Sequence, residues 1–187
     1  MITAVLDACV LYSAPVRDLF LHLTVQFVFQ PKWTARIHEE WIVGLLARRP
    51  DLPRAALERT RDPMNRWARD WQPPLHDALI PTLSLPDPDD RHVLAAAIAA
   101  KAPVIVTFNL EDFPAAALAP YGVRAQHPDE FACGLLDQAP AAFLEAARQQ
   151  RAALRNPPRS VVEYLATLTA CGLPETAARL AVHRERL

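Results

Sequence analysis

The sequence predicts an α/β protein: a parallel sheet of four to five strands flanked by helices, followed by a small all-α C-terminal extension. Three observations predict it. From residue 2 to about 128, short apolar runs alternate with segments of helical period, the pattern of parallel strands joined by helical crossovers. The clearest strand, PVIVTFN at 103–109, is apolar without alternation, as a strand buried on both faces must be. Beyond about residue 128 no strand-like run remains, and three or four amphipathic segments follow.

Each element has a local reason. ITAVLD at 2–7 reads as a buried strand whose carboxyl end presents Asp7. Pro15 opens a helix through VRDLFLHL, and VQFVFQ at 25–30 reads as a second strand ended by Pro31. TARIHEEWIVGLLARR is a helix capped by Thr34, with Ile37, Trp41 and Leu45 as its apolar stripe, and Pro50 ends it. Residues 53–70 form an arginine-rich helix that Pro63 is expected to kink or divide. DALIPTLSL at 77–85 is a weak strand candidate, and the alanine-rich run from about Asp89 to Ala100 is helical. After PVIVTFN come a short helical piece near 114–118 and a fifth strand, GVRAQ at 122–126. PAAFLEAARQQRAAL, SVVEYLATLTA and PETAARLAVHRERL are the later helices, separated by NPPR and by Gly172–Leu173. A boundary near 138 divides the chain into residues 1–138 and 139–187.

Composition narrows the setting. Hydrophobic residues make up 51% and charged residues 22% of the 187, a globular balance that excludes a disordered chain. The formal net charge of −1 argues against nucleic acid only if charge is spread evenly. It is not: residues 140–187 carry seven arginines against four acids, and residues 1–139 carry thirteen basic groups against seventeen acids. The opening lacks a basic segment before its apolar run, and no stretch approaches a membrane span, so a cytoplasmic protein is expected, with no membrane contact. Three cysteines without a C-x-x-C pair give neither a disulfide framework nor a zinc site. Four scattered glycines exclude a phosphate-cradling glycine loop.

The chemistry-bearing residues are acids. In an open α/β sheet, functional groups gather beyond the carboxyl ends of the strands. Asp7 ends the first strand, Asp112 follows the best strand, Asp90 begins the alanine-rich helix, and Glu39 and Glu40 lie on the helix after strand two. Carboxylates gathered in one cleft repel one another unless a cation neutralises them. All-oxygen sets suit Mg²⁺ or Mn²⁺, which can activate water against a phosphodiester. The plainer alternative is that Asp89 and Asp90 cap a helix while Glu39 and Glu40 form a solvated face; spacing alone does not choose between these.

Asp7 within VLDACVLYSAPVRDLF, Glu39–Glu40 in IHEEW, the run LPDPDDRHVLAAAIAAKAPVIVTFNLEDFP and the trailing PDEF together resemble the PIN-domain family, in particular the VapC-type toxins of toxin–antitoxin pairs. The resemblance covers roughly residues 2–135. It implies a Rossmann-like sheet and a metal-dependent endoribonuclease using Mg²⁺ or Mn²⁺. On it, Asp7, Glu40, Asp90 and Asp112 are the catalytic and metal-binding acids, with Glu39 the alternative to Glu40. Thr107 and Asn109 correspond to the small polar residues that would position a water or the scissile phosphate. Many relatives carry Asp at the position of Asn109, so here Asp112 would have to supply that charge. Asp87 and Asp89 shape a proline-bounded turn and are further candidate ligands.

Partners follow from the same resemblance: an RNA substrate, a cognate antitoxin protein that covers the acids, and a homodimer. Arg148, Arg151 and Arg155 recur at helical spacing and form either a basic stripe that guides RNA or a solvated face. Two other readings remain at this level. One is a phosphohydrolase with Asp7 as aspartyl nucleophile, although Cys9 stands where that chemistry wants a second acid. The other is a non-catalytic RNA-binding or regulatory module.

Overall fold

The computed structural model describes residues 1–187. Its centre is a four-stranded, all-parallel sheet in the order β2-β1-β3-β4, with β1 Ile2–Leu6, β2 Phe29–Lys32, β3 Val104–Val106 and β4 Arg124–Gln126. The register sets Leu6 beside Val106 and Val106 beside Gln126, so the carboxyl ends of the two central strands lie together. Ala4, Val5 and Leu6 and all of β3 are buried, which is why these strands read as unbroken apolar runs.

Helices flank the sheet. α1 (Ala8–Tyr12) and α2 (Ala14–Val25) follow β1, and α3 (Ala35–Arg48) and α4 (Arg54–Trp67) follow β2. α5 (Arg91–Ala99) packs on β1 and β3, and the short α6 (Ala115–Leu118) on β4. Thr34 caps α3 as expected, its hydroxyl accepting from the Ile37 amide at 3.1 Å.

Three expectations are corrected. The second strand is not 25–30: α2 continues through Val25, Phe27 turns the chain at a φ of 55°, and pairing begins only at Phe29. Pro31 lies inside that strand because β2 is a sheet edge, where a missing amide donor is tolerated. Residues 77–85 are not a strand: Asp77–Thr82 winds into tight 3₁₀ turns around Pro81, so the sheet has four strands, the lower of the four to five expected. Pro63 does not divide α4, which runs past it to Trp67.

The C-terminal part is helical throughout: α7 (Pro128–Gln138), α8 (Pro140–Ala153), α9 (Val161–Ala170) and α10 (Pro174–Ala181). The expected boundary at 138 falls at the α7–α8 junction. α8 lies along α2, and α10 packs on α9 and α7. Phe143, Leu144, Tyr164, Leu168 and Leu180 join the same hydrophobic cluster as the sheet residues, so one core runs through the whole chain. A polar chain crosses this contact: Tyr164 donates to Gln150 Oε1 and Gln150 Nε2 donates to the Pro15 carbonyl, each at 2.8 Å.

On the β2 side, Trp33, Trp41 and His38 are buried together. Trp41 Nε1 donates to His38 Nδ1 at 3.0 Å, which leaves His38 Nε2 to donate to Asn65 Oδ1 at 2.9 Å, an oxygen that also accepts from Trp33 Nε1. Burial pushes this imidazole down to about 4. The folded protein therefore resists protonation between about 6.5 and 4 while the unfolded chain does not, so the contribution of His38 is present above 6.5 and lost as pH falls toward 4. It amounts to roughly 3 kcal/mol. Melting curves of wild type and His38→Gln should converge, the wild type losing its advantage between pH 7 and 4.5; a constant difference across that range would rule the effect out.

Candidate active site

The site is assembled at the carboxyl ends of β1 and β3. Asp7 follows β1 directly, and its amide donates to the Val106 carbonyl at 3.1 Å, which fixes it against β3. One carboxylate oxygen caps α1 through the Ala8 amide at 2.6 Å; the other accepts from the Thr107 hydroxyl at 2.7 Å and from the Cys9 thiol at 3.1 Å. Asp7 is 6% exposed. Thr107 also accepts from the Asn109 amide at 3.0 Å, so its role is to hold Asp7 and the turn after β3, and Asn109 itself is exposed. Cys9 is pushed up to about 12, first by burial and then by the Asp7 charge, and stays a thiol.

Asp90 closes a short 3₁₀ turn, Pro88–Asp90, immediately before α5. Its carboxyl is pushed up to about 7, by burial first and then by the carboxylates of Asp7, Asp112, Asp87 and Glu40. Three other chain segments, carrying Asp7, Glu40 and Asp112, thus converge on one half-buried carboxyl. Asp112 ends the single turn Leu110–Asp112 after β3.

Glu40 and Glu39 part company. Glu40 faces the acids: its Oε1 accepts from Arg36 Nε at 3.0 Å and lies 2.9 Å from Nε2 of the buried His92, off the line of a hydrogen bond. Glu39 turns away to pair with Arg54 of α4. Asp87 caps the turn through the Asp89 amide at 2.8 Å, and Asp89 is exposed. Arg36 is the residue that sequence reasoning missed: it spans from Glu40 to the Asp89 carbonyl at 3.2 Å and to the Asp89 carboxylate at 3.6 Å. No sequence signal links positions 36 and 89.

The basic stripe is not built as spacing suggested. α8 ends at Ala153, so Arg155 lies off the helix. Arg148 is engaged by Glu145 through two hydrogen bonds, of 2.8 and 2.6 Å. Arg151 donates to the main-chain carbonyls of Leu187 and Arg159, each at 2.9 Å.

The C-terminal helices reach the site by another route. Phe108, in the turn that carries Asn109 and Asp112, meets His127 edge-to-face at 5.0 Å. It also fills the space above Gly172, where a Cβ would stand 2.8 Å from its Cε1. Gly172 has a φ of 89°, so glycine is required there twice over.

The family model for the PIN domain matches residues 3–111, more than half of the chain. The chain belongs to the PIN-domain family. Its parallel sheet and the acids after β1 and before α5 are therefore read in a PIN fold. A second family model, for the VapC50 C-terminal domain, matches residues 128–182, which span α7 to α10. The "Putative ribonuclease VapC50" of Mycobacterium tuberculosis is 61% identical over 49 residues, 26% of this chain and 27% of that protein. The match thus spans about a quarter of that relative's length. No solved structure matches the chain.

A divalent cation is the group this family implies. No three His, Cys, Asp or Glu side chains close tightly around one point. The donor set nevertheless fits such an ion: it is all carboxylate oxygen, and burial together with the neighbouring carboxylates holds Asp90 near 7. Mg²⁺, which keeps several of its waters and binds through one or two carboxylates, suits an open set of this kind.

Proposed function

We propose that the protein is a metal-dependent endoribonuclease, the toxin of a toxin–antitoxin pair. The observation that carries this reading is the convergence of Asp7, Glu40, Asp90 and Asp112 from four segments on the carboxyl ends of β1 and β3. Asp7, Asp90 and Asp112, with Glu40 rather than Glu39, would hold Mg²⁺ or Mn²⁺. Bound there, the ion would activate water and offset charge on the phosphodiester. The chain's own contributions are positional. Thr107 and Cys9 fix the Asp7 carboxylate, and Arg36 fixes Glu40. Phe108 holds the turn that presents Asp112.

The RNA substrate and an antitoxin that covers the acids come from the same reading, supported by the VapC name of the partial relative. No helix is long and apolar enough to cross a membrane. The test is direct: wild-type protein with Mg²⁺ or Mn²⁺ should cleave single-stranded and structured RNA, EDTA should stop it, and Asp7→Asn should be inactive. Cleavage that persists in EDTA, or in Asp7→Asn, would sink the assignment.

A further inference from the structure

Two segments far apart in the chain meet at the carboxyl end of α8. Arg151, in the last turn of that helix, donates from Nε to the Leu187 carbonyl and from Nη1 to the Arg159 carbonyl, each at 2.9 Å. One guanidinium thereby pins the loop 154–160 beside the single turn Arg184–Arg186. Within the loop, Arg155 pairs with Pro158 in an antiparallel bridge, which folds Arg155 back toward Arg159. Residues 151–160 and 184–187 carry five arginines against one acid, Glu185. Glu163, one turn further on, is engaged by Ser160, whose amide and hydroxyl donate to it at 2.9 and 2.8 Å. Arg155, Arg159, Arg184 and Arg186 are exposed and form no ion pair, whereas Arg148 and Arg179 on the neighbouring helices are each tied to carboxylates. Cations gathered in this way repel one another, and an external polyanion relieves that cost.

We propose that this patch, built by Arg155, Arg159, Arg184 and Arg186 around the Arg151 pin, is a backbone contact for a base-paired stem of an RNA substrate, outside the acid cluster. The proposal rests on the nuclease reading and adds to it the form of the substrate. Arginine forks match phosphate oxygens and hold a strand in register without reading its bases. Neither segment contains an aromatic residue, so an unpaired base finds no ring to stack on. A stem needs none: it presents its phosphates in fixed rows and is recognised by that shape. A protein partner fits less well, because protein interfaces are centred on aromatic and apolar anchors that these two segments lack. The helical extension thereby gains a task of its own, holding the folded part of an RNA whose scissile bond lies at the acids.

Binding is measured on the Asp90→Asn protein, in which cleavage does not interfere, by anisotropy of a fluorescein-labelled RNA hairpin with one full turn of stem and of a single-stranded uridine octamer, across a salt series. Adding Arg155→Gln, Arg159→Gln, Arg184→Gln and Arg186→Gln together should weaken the hairpin on the order of 10- to 100-fold at low salt and flatten its log–log salt slope by about 3. The octamer should bind as before. All four positions are exposed, so the melting temperature should not move. A charge-matched control, Arg59→Gln, Arg66→Gln, Arg69→Gln and Arg124→Gln, takes four exposed cations from α4, the segment after it and β4, and should bind both RNAs like the parent. With Asp90 restored, the patch variant should show a raised KM for the hairpin at unchanged kcat. Hairpin binding equal to the parent's would overturn the proposal and leave the patch to an acidic protein segment. Equal weakening of the octamer, or an equal loss in the control, would overturn it too, since either reports net charge alone. The nuclease reading fails separately, if wild-type protein with Mn²⁺ leaves RNA intact; if only the stem contact is wrong, the patch variant cuts the hairpin with the wild-type KM.

Discussion

Asp90→Asn should lose RNA cleavage and yet melt at a higher temperature than wild type when both are held in EDTA at pH 8. The two effects have one origin. Asp90 titrates near 7 because it is half buried and faces the carboxylates of Asp7, Asp112, Asp87 and Glu40. Its folded-state value lies above its unfolded value of 3.8, so its contribution favours the fold below about pH 4 and is lost as pH rises through 7. An amide of the same shape removes that cost, worth roughly 1–2 kcal/mol once solvent screening of a half-exposed group is allowed for, or about 2–8 °C in Tm for a chain of this size. At pH 4 the two proteins should melt together. Mn²⁺ should reverse the order at pH 8, because only a set that binds the ion gains stability from it. Cleavage should fall on the order of a hundred- to a thousand-fold, the scale on which one preorganised charged group acts. A variant that melts below wild type in EDTA at pH 8 would show that the acids do not repel one another. His38 opposes Asp90 over the same pH window, so removing Asp90 should also steepen the acid sensitivity that His38 confers.

The largest loss of stability is expected from Asp129→Ala. Asp129, in the first turn of α7, reaches across to the start of α10. Its two oxygens accept from the Glu175 amide and the Thr176 amide, each at 2.8 Å, and Oδ1 also accepts from the Thr176 hydroxyl at 2.6 Å. A carboxylate therefore caps a helix that belongs to a different element, where unpaired amides and the helix dipole both favour negative charge. Thr176 is fully buried, so truncation strands donors that water cannot reach. The cost should be about 3 kcal/mol, or roughly 6–12 °C in Tm. Asp129→Asn keeps an acceptor and should lose about half as much. Hydrogen exchange should show the extra opening concentrated in α10 and α9; a melt within a degree of wild type would contradict the capping role.

The elements legible in the sequence were those whose pattern is set within a few residues. β1 and β3 read as strands because both their faces are buried, and α3 and α5 because a cap and an apolar stripe or an alanine run suffice. VQFVFQ misled because Val25 still belongs to α2 and the reversal at Phe27 carries no turn residue. DALIPTLSL misled because Leu83 and Leu85 do enter the core, but from a turn held by Pro81. Within the site, Asp7 and Asp90 were visible from their positions at a strand end and a helix start. The contacts that hold them were not. Thr107 meets Asp7 across 100 residues of chain, and Arg36 meets Asp89 across 53. The preference for Glu40 over Glu39 came from the resemblance alone; that Glu39 pairs with Arg54, on the next helix, was not legible in the sequence. The arginines of α8 failed for the complementary reason: helical spacing says where a side chain starts, not which carbonyl or carboxylate claims it.

The seat of Phe108 over Gly172 has a consequence for how such a chain can change. A knob from the turn after β3 occupies a hole that exists only because the α9–α10 turn has no side chain there. The two parts of the protein therefore cannot be exchanged separately with those of a relative. A foreign helical extension bearing anything but glycine at that point would unseat the loop carrying Asp112, and a foreign sheet domain with a small residue in place of Phe108 would leave a void beneath the graft. Chimaeras cut between α7 and α8 should regain full activity only when both halves of this contact come from the same parent.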